Sequence, residues 1–274
     1  MDWRHRCLLV VCVLFLWGCP MEHRLIFHPN ARIDRTPRDF GLLFDDVFFV
    51  TSDEVRLHGW FVPYRDAQTT LLWFHGNAGN VSHRLENIKL LHDNVKVNIF
   101  IFDYRGYGLS EGTVSETGTY LDGEAAIEYL RRHRPVESKN LVLFGRSLGA
   151  AVAIEMATRT EALSGVILES PFASIRDMAR EIFPSLPIGS LIRTQYNVAE
   201  KIRGIKTPLL VLHGDRDEVV PFSQGKKVYD AAPQPKTFYA IVGARHNDTY
   251  RVGGDSYFEA FRKHIERAGS TKDR

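Results

Sequence analysis

Cysteine is scarce in this sequence, and the positions of the cysteines exclude several kinds of site. The chain of 274 residues contains three, Cys7, Cys12 and Cys19, all close to the N-terminus. The rest of the chain can therefore hold neither an internal disulfide nor a thiolate metal site. It also lacks a His-Glu-x-x-His motif, and its 11 histidines show no close metal-ligand spacing. We therefore expect chemistry that needs no metal and no cofactor.

An excess of one charge is missing as well. The sequence contains 35 Lys and Arg against 33 Asp and Glu, a formal net charge of +2, and it has no long basic run. Because nucleic-acid-binding proteins usually carry such a run or a recognisable motif, we exclude DNA and RNA as partners. With 44% hydrophobic and 25% charged residues, the chain has a globular composition and the length for one large α/β domain.

The hydrophobic run at the N-terminus is short for a membrane span. Residues Cys7 to Trp17 follow a basic start and cover about half of the roughly 20 residues that a span needs. This length favours a signal peptide over residues 1–19. The ending Leu16-Trp17-Gly18-Cys19 is similar to a bacterial lipoprotein processing site, where Cys19 would carry the lipid and hold the exported protein at the cell envelope. An uncleaved membrane anchor and a palmitoylated N-terminus are the alternatives, and all three attach the chain to a membrane.

The remaining chain divides into a tether and a domain. Residues 20–43 are polar, contain Pro29 and Pro37, and are predicted to be a tether. Residues 44–274 are predicted to form a single domain, since they contain no internal repeat and no linker. Within that domain, the proline-interrupted segment 170–207 predicts a small cap and hence a fairly open site.

Strand and helix signals alternate along the domain. A hairpin of strands 47–50 and 55–62 comes first. From residue 69 onward, buried strands are followed by loops and helices, which predicts an α/β fold. Its central sheet would be mostly parallel, with an antiparallel N-terminal edge and helices on both faces. We predict strands at 71–74, 97–102, 141–144, 166–168, 209–212 and 237–241, and helices at 81–92, 117–132, 148–159, 221–231 and 256–267.

One of these strands ends in a Gly-x-Ser-x-Gly motif. The apolar run Leu141 to Phe144 leads into Gly145-Arg146-Ser147-Leu148-Gly149, and an Ala-rich helix signal begins directly afterwards. A turn this tight strains the backbone of Ser147 and leaves no room for side chains two residues to either side, which explains both glycines. The pattern predicts a nucleophile elbow that holds the Ser147 hydroxyl above the sheet, beside a helix N-terminus.

A nucleophilic serine needs a histidine base, which in turn needs an acid to orient it. Acidic residues follow the strand at 209–212 in the sequence His213-Gly214-Asp215-Arg216-Asp217-Glu218. His246 lies in the loop after the strand at 237–241. We interpret Asp217 as the acid and His246 as the base, with Asp215 as the alternative acid and Glu218 as a surface residue. His213 and His75 are interpreted as structural, since each precedes a glycine at a strand end.

These motifs resemble those of the α/β-hydrolase family of serine hydrolases over about residues 44 to 267. The family pattern keeps the order nucleophile, acid, base, and it places the acid four residues before the proline, which here is Asp217. The resemblance also implies an oxyanion hole in the loop that begins His75-Gly76-Asn77. We assign its two donors to the backbone amides of Asn77 and Leu148.

A narrower resemblance comes from the run Asp103-Tyr104-Arg105-Gly106-Tyr107-Gly108 together with the loop after His75. Both are similar to those of small, lid-poor, membrane-anchored hydrolases that include protein depalmitoylases. Tyr104 and Arg105 are interpreted as part of a turn that buttresses the sheet, with a role in lining the pocket as the alternative.

The expected function is a membrane-tethered serine hydrolase that cleaves a carboxylic ester or thioester through an acyl-serine intermediate. Its substrate would be a small molecule or an acylated partner. A depalmitoylating thioesterase and a serine peptidase are alternatives on the same triad. The fold also occurs in haloperoxidases and C–C hydrolases, and a non-catalytic binding protein is a further alternative. The sequence carries no signal for an acyl length or an oligomeric state.

Overall fold

The computed structural model describes residues 26–134, 136–185 and 192–270. The signal peptide or anchor predicted over residues 1–19, including Cys19, lies outside these ranges. Among the helices within them, none combines the length and the apolar composition that a bilayer span requires. The same ranges contain no group of His, Cys, Asp and Glu side chains that could hold a metal ion.

An eight-stranded sheet runs through the centre of the domain in the order β10-β9-β8-β7-β4-β6-β3-β2. The pairs β2–β3 and β3–β6 are antiparallel, whereas all other neighbours in this sheet are parallel. The prediction of a mostly parallel sheet with an antiparallel N-terminal edge is therefore confirmed. The strands are β1 His28–Pro29, β2 Asp45–Val50, β3 Arg56–Val62, β4 Thr70–Phe74, β5 Ala78–Gly79, β6 Asn98–Asp103, β7 Leu141–Arg146, β8 Gly165–Glu169, β9 Leu209–Gly214 and β10 Lys236–Ile241.

Helices cover both faces of this sheet, as predicted. The described helices are α1 Leu85–Val95, α2 Glu116–His133, α3 Leu148–Arg159, α4 Ile175–Ile182, α5 Val198–Lys201, α6 Phe222–Ala231 and α7 Thr249–Ser270. Alternate side chains of a strand point to opposite faces. Leu72 and Phe74 of β4 accordingly lie in one core cluster with α2, α3 and α6, while Leu71 and Trp73 lie in a second cluster with α1 and α7.

The predicted boundaries hold closely for the strands and less well for the last helix. Helix α3 has the predicted bounds, whereas α7 begins at Thr249 instead of Ser256. The cause is Gly254, whose backbone (φ 49°, ψ −139°) breaks the helix. Because a helix broken at a glycine loses its regular pattern of apolar residues, the sequence reveals only the part that follows the break.

Two further regions frame the edge where the parallel strands end. Residues 26–32, which we call the N-terminal strap, include β1, and β1 pairs in parallel with β5. They belong to the segment predicted as a tether, yet Phe27 is buried and packs edge-on against Tyr196 at 6.4 Å between ring centroids. Tyr196 lies in the predicted cap segment, between β8 and β9, which also contains α4 and α5. The strap and the cap segment therefore touch each other.

Candidate active site

Ser147 lies on the turn between β7 and α3. Its backbone is strained, with φ 53° and ψ −117°, a conformation that a residue with a side chain rarely adopts. The flanking glycines are required by space: a Cβ on Gly149 would lie 1.9 Å from the carbonyl oxygen of Phe74. A Cβ on Gly145 would lie 2.4 Å from the carbonyl oxygen of Gly149. The backbone amide of Ser147 donates to the carbonyl of Glu169 at 2.8 Å, which fixes the turn against β8.

The strand order explains which loops surround Ser147. The chain passes from β4 to β6 on one side and then returns to β7 on the other side of β4. Loops on either side of such a reversal leave a crevice at the carboxyl ends of the strands, where α/β proteins bind their ligands. The loop after β4, with Asn77, therefore lies beside Ser147. The Cβ that Gly76 lacks would be 3.6 Å from the Cβ of Ser147.

Asp217 and His246 lie together on the loops after β9 and β10. The Asp217 carboxylate accepts a hydrogen bond from His246 Nδ1 at 2.8 Å through Oδ2. Its Oδ1 accepts from the backbone amides of Val219 at 2.9 Å and Val220 at 2.8 Å. Since Nδ1 of His246 carries the donated proton, Nε2 is left as the basic nitrogen of the neutral ring.

The Asp217 carboxyl is held in its charged form. Burial alone would raise its pKa, but hydrogen bonds from His213 and His246, together with the amide of Val220, hold the pKa well below its usual range. His213 contributes from within the core, with Nε2 3.4 Å from Asp217 Oδ2 and 2.9 Å from the carbonyl of Val220. A charged carboxylate in this position favours the protonated form that a histidine base adopts during proton transfer.

The other acids of this region have different contacts. Asp215 accepts from the backbone amide of Gly243 at 2.6 Å and lies exposed at the surface. Glu218 is also exposed, and its Oε2 accepts from the backbone amide of His246 at 3.3 Å. Of Asp215, Asp217 and Glu218, it is therefore Asp217 that is bonded to the His246 ring.

The structure does not join Ser147 to His246 directly. Within the described residues, no hydrogen bond links the Ser147 hydroxyl to the His246 ring. Hydrogen bonds between a nucleophile and its base are often long before a substrate is bound. Ser147 is 8% exposed and is therefore buried where β7 ends.

Arg146, the last residue of β7, connects this strand to the end of β8 and to the loop after β10. The sequence did not predict this role. Its guanidinium donates from Nη2 to the carbonyl of His246 and, at 2.9 Å, to Oδ1 of Asn247. Its Nε donates to the fully buried carboxylate of Glu169 at 2.8 Å. Glu169 also accepts from Thr249 at 2.7 Å and from Tyr257 at 2.6 Å. A signal for these bonds is nevertheless present in the sequence, because Glu169 is a charged residue at the end of an otherwise apolar strand.

Within residues 26–134, 136–185 and 192–270, neither amide assigned to the oxyanion hole donates a hydrogen bond. Leu148 is the first residue of α3, so its amide lacks an intrahelical acceptor. The amide of Asn77 likewise has no backbone acceptor in the described part of the chain. His75, interpreted as structural, is fully buried, and its Nδ1 donates to the carbonyl of Gly76 at 2.7 Å.

Tyr104 and Arg105 have contacts that fit the support role. Tyr104 is fully buried and donates to the carbonyl of His75 at 3.1 Å. Arg105 donates to Asp122 at 2.8 Å from Nε and to Asp53 at 2.8 Å from Nη1. Both side chains therefore tie the loop after β6 to its surroundings, and the pocket-lining alternative finds no support.

Comparisons with known proteins find relatives over most of the chain. A family model described as serine aminopeptidase, S33, matches residues 65–188 and 187–249. WAV2 of Arabidopsis thaliana, an α/β hydrolase domain-containing protein, is 35% identical over 256 residues, 86% of this chain and 83% of that protein. A membrane protein of Saccharomyces cerevisiae is 34% identical over 257 residues, 90% of each. Among solved structures, an esterase of Pyrococcus furiosus has a TM-score of 0.72 at 25% identity and covers 88% of this chain and 98% of its own.

Proposed function

The chain belongs to the α/β-hydrolase family, and from that premise we propose that it is a membrane-tethered serine hydrolase of carboxylic esters or thioesters. The observation that carries the proposal is the Asp217–His246 hydrogen bond of 2.8 Å on the loops beside the strained Ser147. An orienting acid, a base and a hydroxyl at a helix N-terminus are the parts that acyl transfer to serine requires.

The reaction follows from these parts. Ser147 Oγ attacks the carbonyl carbon while His246 Nε2 takes the hydroxyl proton, and the carbonyl oxygen becomes negative. The amides of Asn77 and Leu148 donate to that oxygen. When the tetrahedral intermediate collapses, His246 returns the proton to the leaving alkoxide or thiolate, and the acyl group stays on Ser147. Water, activated by His246, then attacks the acyl-serine and releases the carboxylic acid and free Ser147.

The position of the strap supports a substrate at a membrane surface. Asn77 Nδ2 donates to the carbonyl of Ile26, so the strap begins directly beside the oxyanion loop. Ile26 follows Cys19 by seven positions, and a fully extended chain spans at most ~25 Å over seven such steps. With Cys19 or the preceding hydrophobic run in a membrane, Ser147 would work close to the bilayer, where acyl lipids and acylated proteins are found.

Attachment through Cys19 is open to a separate test. In cells fed radiolabelled palmitate, we expect the wild-type protein to take up label and Cys19→Ala to lose it. Full labelling of the Cys19→Ala protein would contradict attachment at this cysteine and indicate palmitoylation elsewhere in the N-terminal segment, which also contains Cys7 and Cys12. A wild-type protein that takes up no label would instead leave an uncleaved anchor as the form of the tether.

A serine peptidase is the second candidate function. It is favoured by the matched family, described as serine aminopeptidase, and by the exposed carboxylate of Glu218 beside the backbone of His246. A carboxylate near the reacting carbonyl is the group that would bind the free ammonium of a peptide N-terminus.

A substrate panel tests both candidates. Purified full-length protein is assayed with p-nitrophenyl esters of increasing acyl length, with acyl thioesters and with aminoacyl p-nitroanilides, and Ser147→Ala is the control. We expect hydrolysis of the esters or thioesters, labelling by a fluorophosphonate probe, and a loss on the order of 10⁴-fold in kcat for Ser147→Ala. Turnover of the anilides alone would select the peptidase, and equal behaviour of the wild type and Ser147→Ala would exclude a serine hydrolase.

A further inference from the structure

Asn77 uses its side chain to bind the N-terminal strap. Its Nδ2 donates to the carbonyl of Ile26, and its Oδ1 accepts from the backbone amide of His28 at 3.4 Å. The same Oδ1 accepts from the hydroxyl of Tyr107 at 3.0 Å. Asn77 thus contributes its backbone amide to the proposed oxyanion hole and its side chain to contacts outside its own loop.

The strap continues along the loop after Asn77. Strand β1 pairs with β5, and the amide of Asn30 donates to the carbonyl of Gly79 at 3.1 Å. Asn80 Nδ2 donates back to the carbonyls of Asn30 at 2.9 Å and Arg32 at 2.6 Å. The loop from residue 76 to 80 is therefore covered on its outer side by backbone that comes from the N-terminal end of the chain.

The inner side of the same loop is held by His75. A trans peptide is planar, and its carbonyl and amide point in opposite directions. The hydrogen bond from His75 Nδ1 to the carbonyl of Gly76, at 2.7 Å, therefore also sets the direction of the Asn77 amide. His75 is itself backed by the buried Asp103, whose Oδ1 lies 3.4 Å from His75 Nε2.

We propose that the N-terminal strap is a positioning element of the oxyanion hole, and that it acts through the side chain of Asn77. An oxyanion donor lowers a reaction barrier only when its direction is fixed before the charge develops. A loop with glycines at positions 76 and 79 has little stiffness of its own. The strap restrains this loop from its outer side, and His75 restrains it from its inner side. This inference rests on the proposed function, because it assigns a role within the same site.

Asn77→Ala tests the strap directly, since it keeps the backbone amide and removes the side chain that binds Ile26 and His28. With p-nitrophenyl esters we expect kcat per active site to fall about 10- to 100-fold with KM changed less than about 3-fold, because a misdirected donor weakens mainly the transition state. Active sites are counted with the fluorophosphonate probe. Tyr107→Phe, which removes one hydrogen bond to Asn77, should give a smaller loss in the same direction.

A trifluoromethyl ketone inhibitor distinguishes positioning from stability. Addition of Ser147 to its carbonyl creates the tetrahedral oxyanion, so its affinity should weaken in Asn77→Ala by about the same factor as kcat/KM. Arg65→Ala is the control, because Arg65 lies outside the strap and its side chain, 94% exposed, pairs with Asp66 at the surface. We expect it to keep the wild-type kcat and inhibitor affinity.

The outcomes separate this inference from the proposed function. If the wild type neither reacts with the probe nor hydrolyses the esters, the proposed function fails. If the wild type is active and Asn77→Ala keeps its kcat and its inhibitor affinity, the strap has no positioning role. A lower Tm for Asn77→Ala with unchanged kcat per titrated site would also overturn the inference, since it would indicate a structural role alone.

Discussion

The Asp217 carboxylate is held in place by the residues around it. Two backbone amides, of Val219 and Val220, occupy one carboxylate oxygen, and two histidines, His213 and His246, approach the other. This arrangement leaves the carboxylate a single orientation and keeps it charged. Asp215, two residues earlier, instead accepts from the amide of Gly243 and supports the turn after β10.

Asp217→Asn and Asp215→Asn form a matched pair that tests this difference. An amide at position 217 can donate to His246 Nδ1, which stabilises the wrong tautomer and removes the charge that supports the protonated ring. We expect kcat for p-nitrophenyl esters to fall on the order of 10³- to 10⁴-fold, while Asp215→Asn stays within a few fold of the wild type. A larger loss in Asp215→Asn than in Asp217→Asn would assign the acid role to Asp215.

At the scale of the residue, the sequence predicts which residues are candidates for catalysis better than it predicts the hydrogen bonds that their side chains make. Ser147, Asp217 and His246 can be proposed from the sequence because each lies on a loop that follows a recognisable strand. The bonds made by Arg146 and Glu169 could not be predicted, because they join three separate strand ends and depend on the packing of α7. The hydrogen bonds of the Asn77 side chain could not be predicted either, because their partners in the strap are distant in sequence.

At the scale of the element, α7 carries a buried histidine. His264 is 8% exposed, and the Cβ that Gly165 of β8 lacks would lie 2.7 Å from its Nε2. Burial, with a smaller contribution from the charge of Arg267, lowers the pKa of His264 from 6.5 to about 4. The absence of a side chain at position 165 therefore makes room for a neutral imidazole between helix and sheet.

This histidine predicts a pH dependence of stability. The unfolded chain protonates His264 near its ordinary pKa of 6.5, whereas the folded protein does so only near 4. Between these values the unfolded state binds more protons, so the free energy of unfolding decreases as the pH falls from about 7 to about 4. The decrease from this group is at most about 3 kcal/mol.

His264→Gln should lack this contribution. Urea unfolding of both proteins at pH 7.5, 6 and 5 measures it: the wild type should lose stability relative to His264→Gln at each step toward acid. Parallel pH profiles for the two proteins would show that His264 does not titrate with this depressed pKa.

The regular elements could be predicted because each carries a local signal. Apolar runs mark the buried strands, and the Ala-rich pattern marks α3. The strap and the start of α7 lack such signals. The strap contains a two-residue strand, too short for a pattern of alternating residues, and its position depends on Asn77, Gly79 and Asn80. The first turns of α7 are separated from the rest by the break at Gly254.

At the scale of the whole molecule, the strand order gathers the candidate catalytic residues at one edge of the sheet. Parallel strands β4, β7, β9 and β10 end on the same side of the sheet, so the loops with Asn77, Ser147, Asp217 and His246 meet there. The strap reaches the same edge through its pairing with β5. The N-terminal end of the described chain therefore lies next to the loop that contains Asn77.

The central claim is that Ser147 carries the acyl group during turnover. Its most direct test is to mix the protein with an excess of a p-nitrophenyl ester, quench in acid within the first turnover, and analyse the peptides by mass spectrometry. We predict that the mass of one acyl group is added to Ser147 in the wild type, and that Ser147→Ala gains none. Ester hydrolysis that proceeds in the Ser147→Ala protein, or an acyl group found on another residue, would contradict the account.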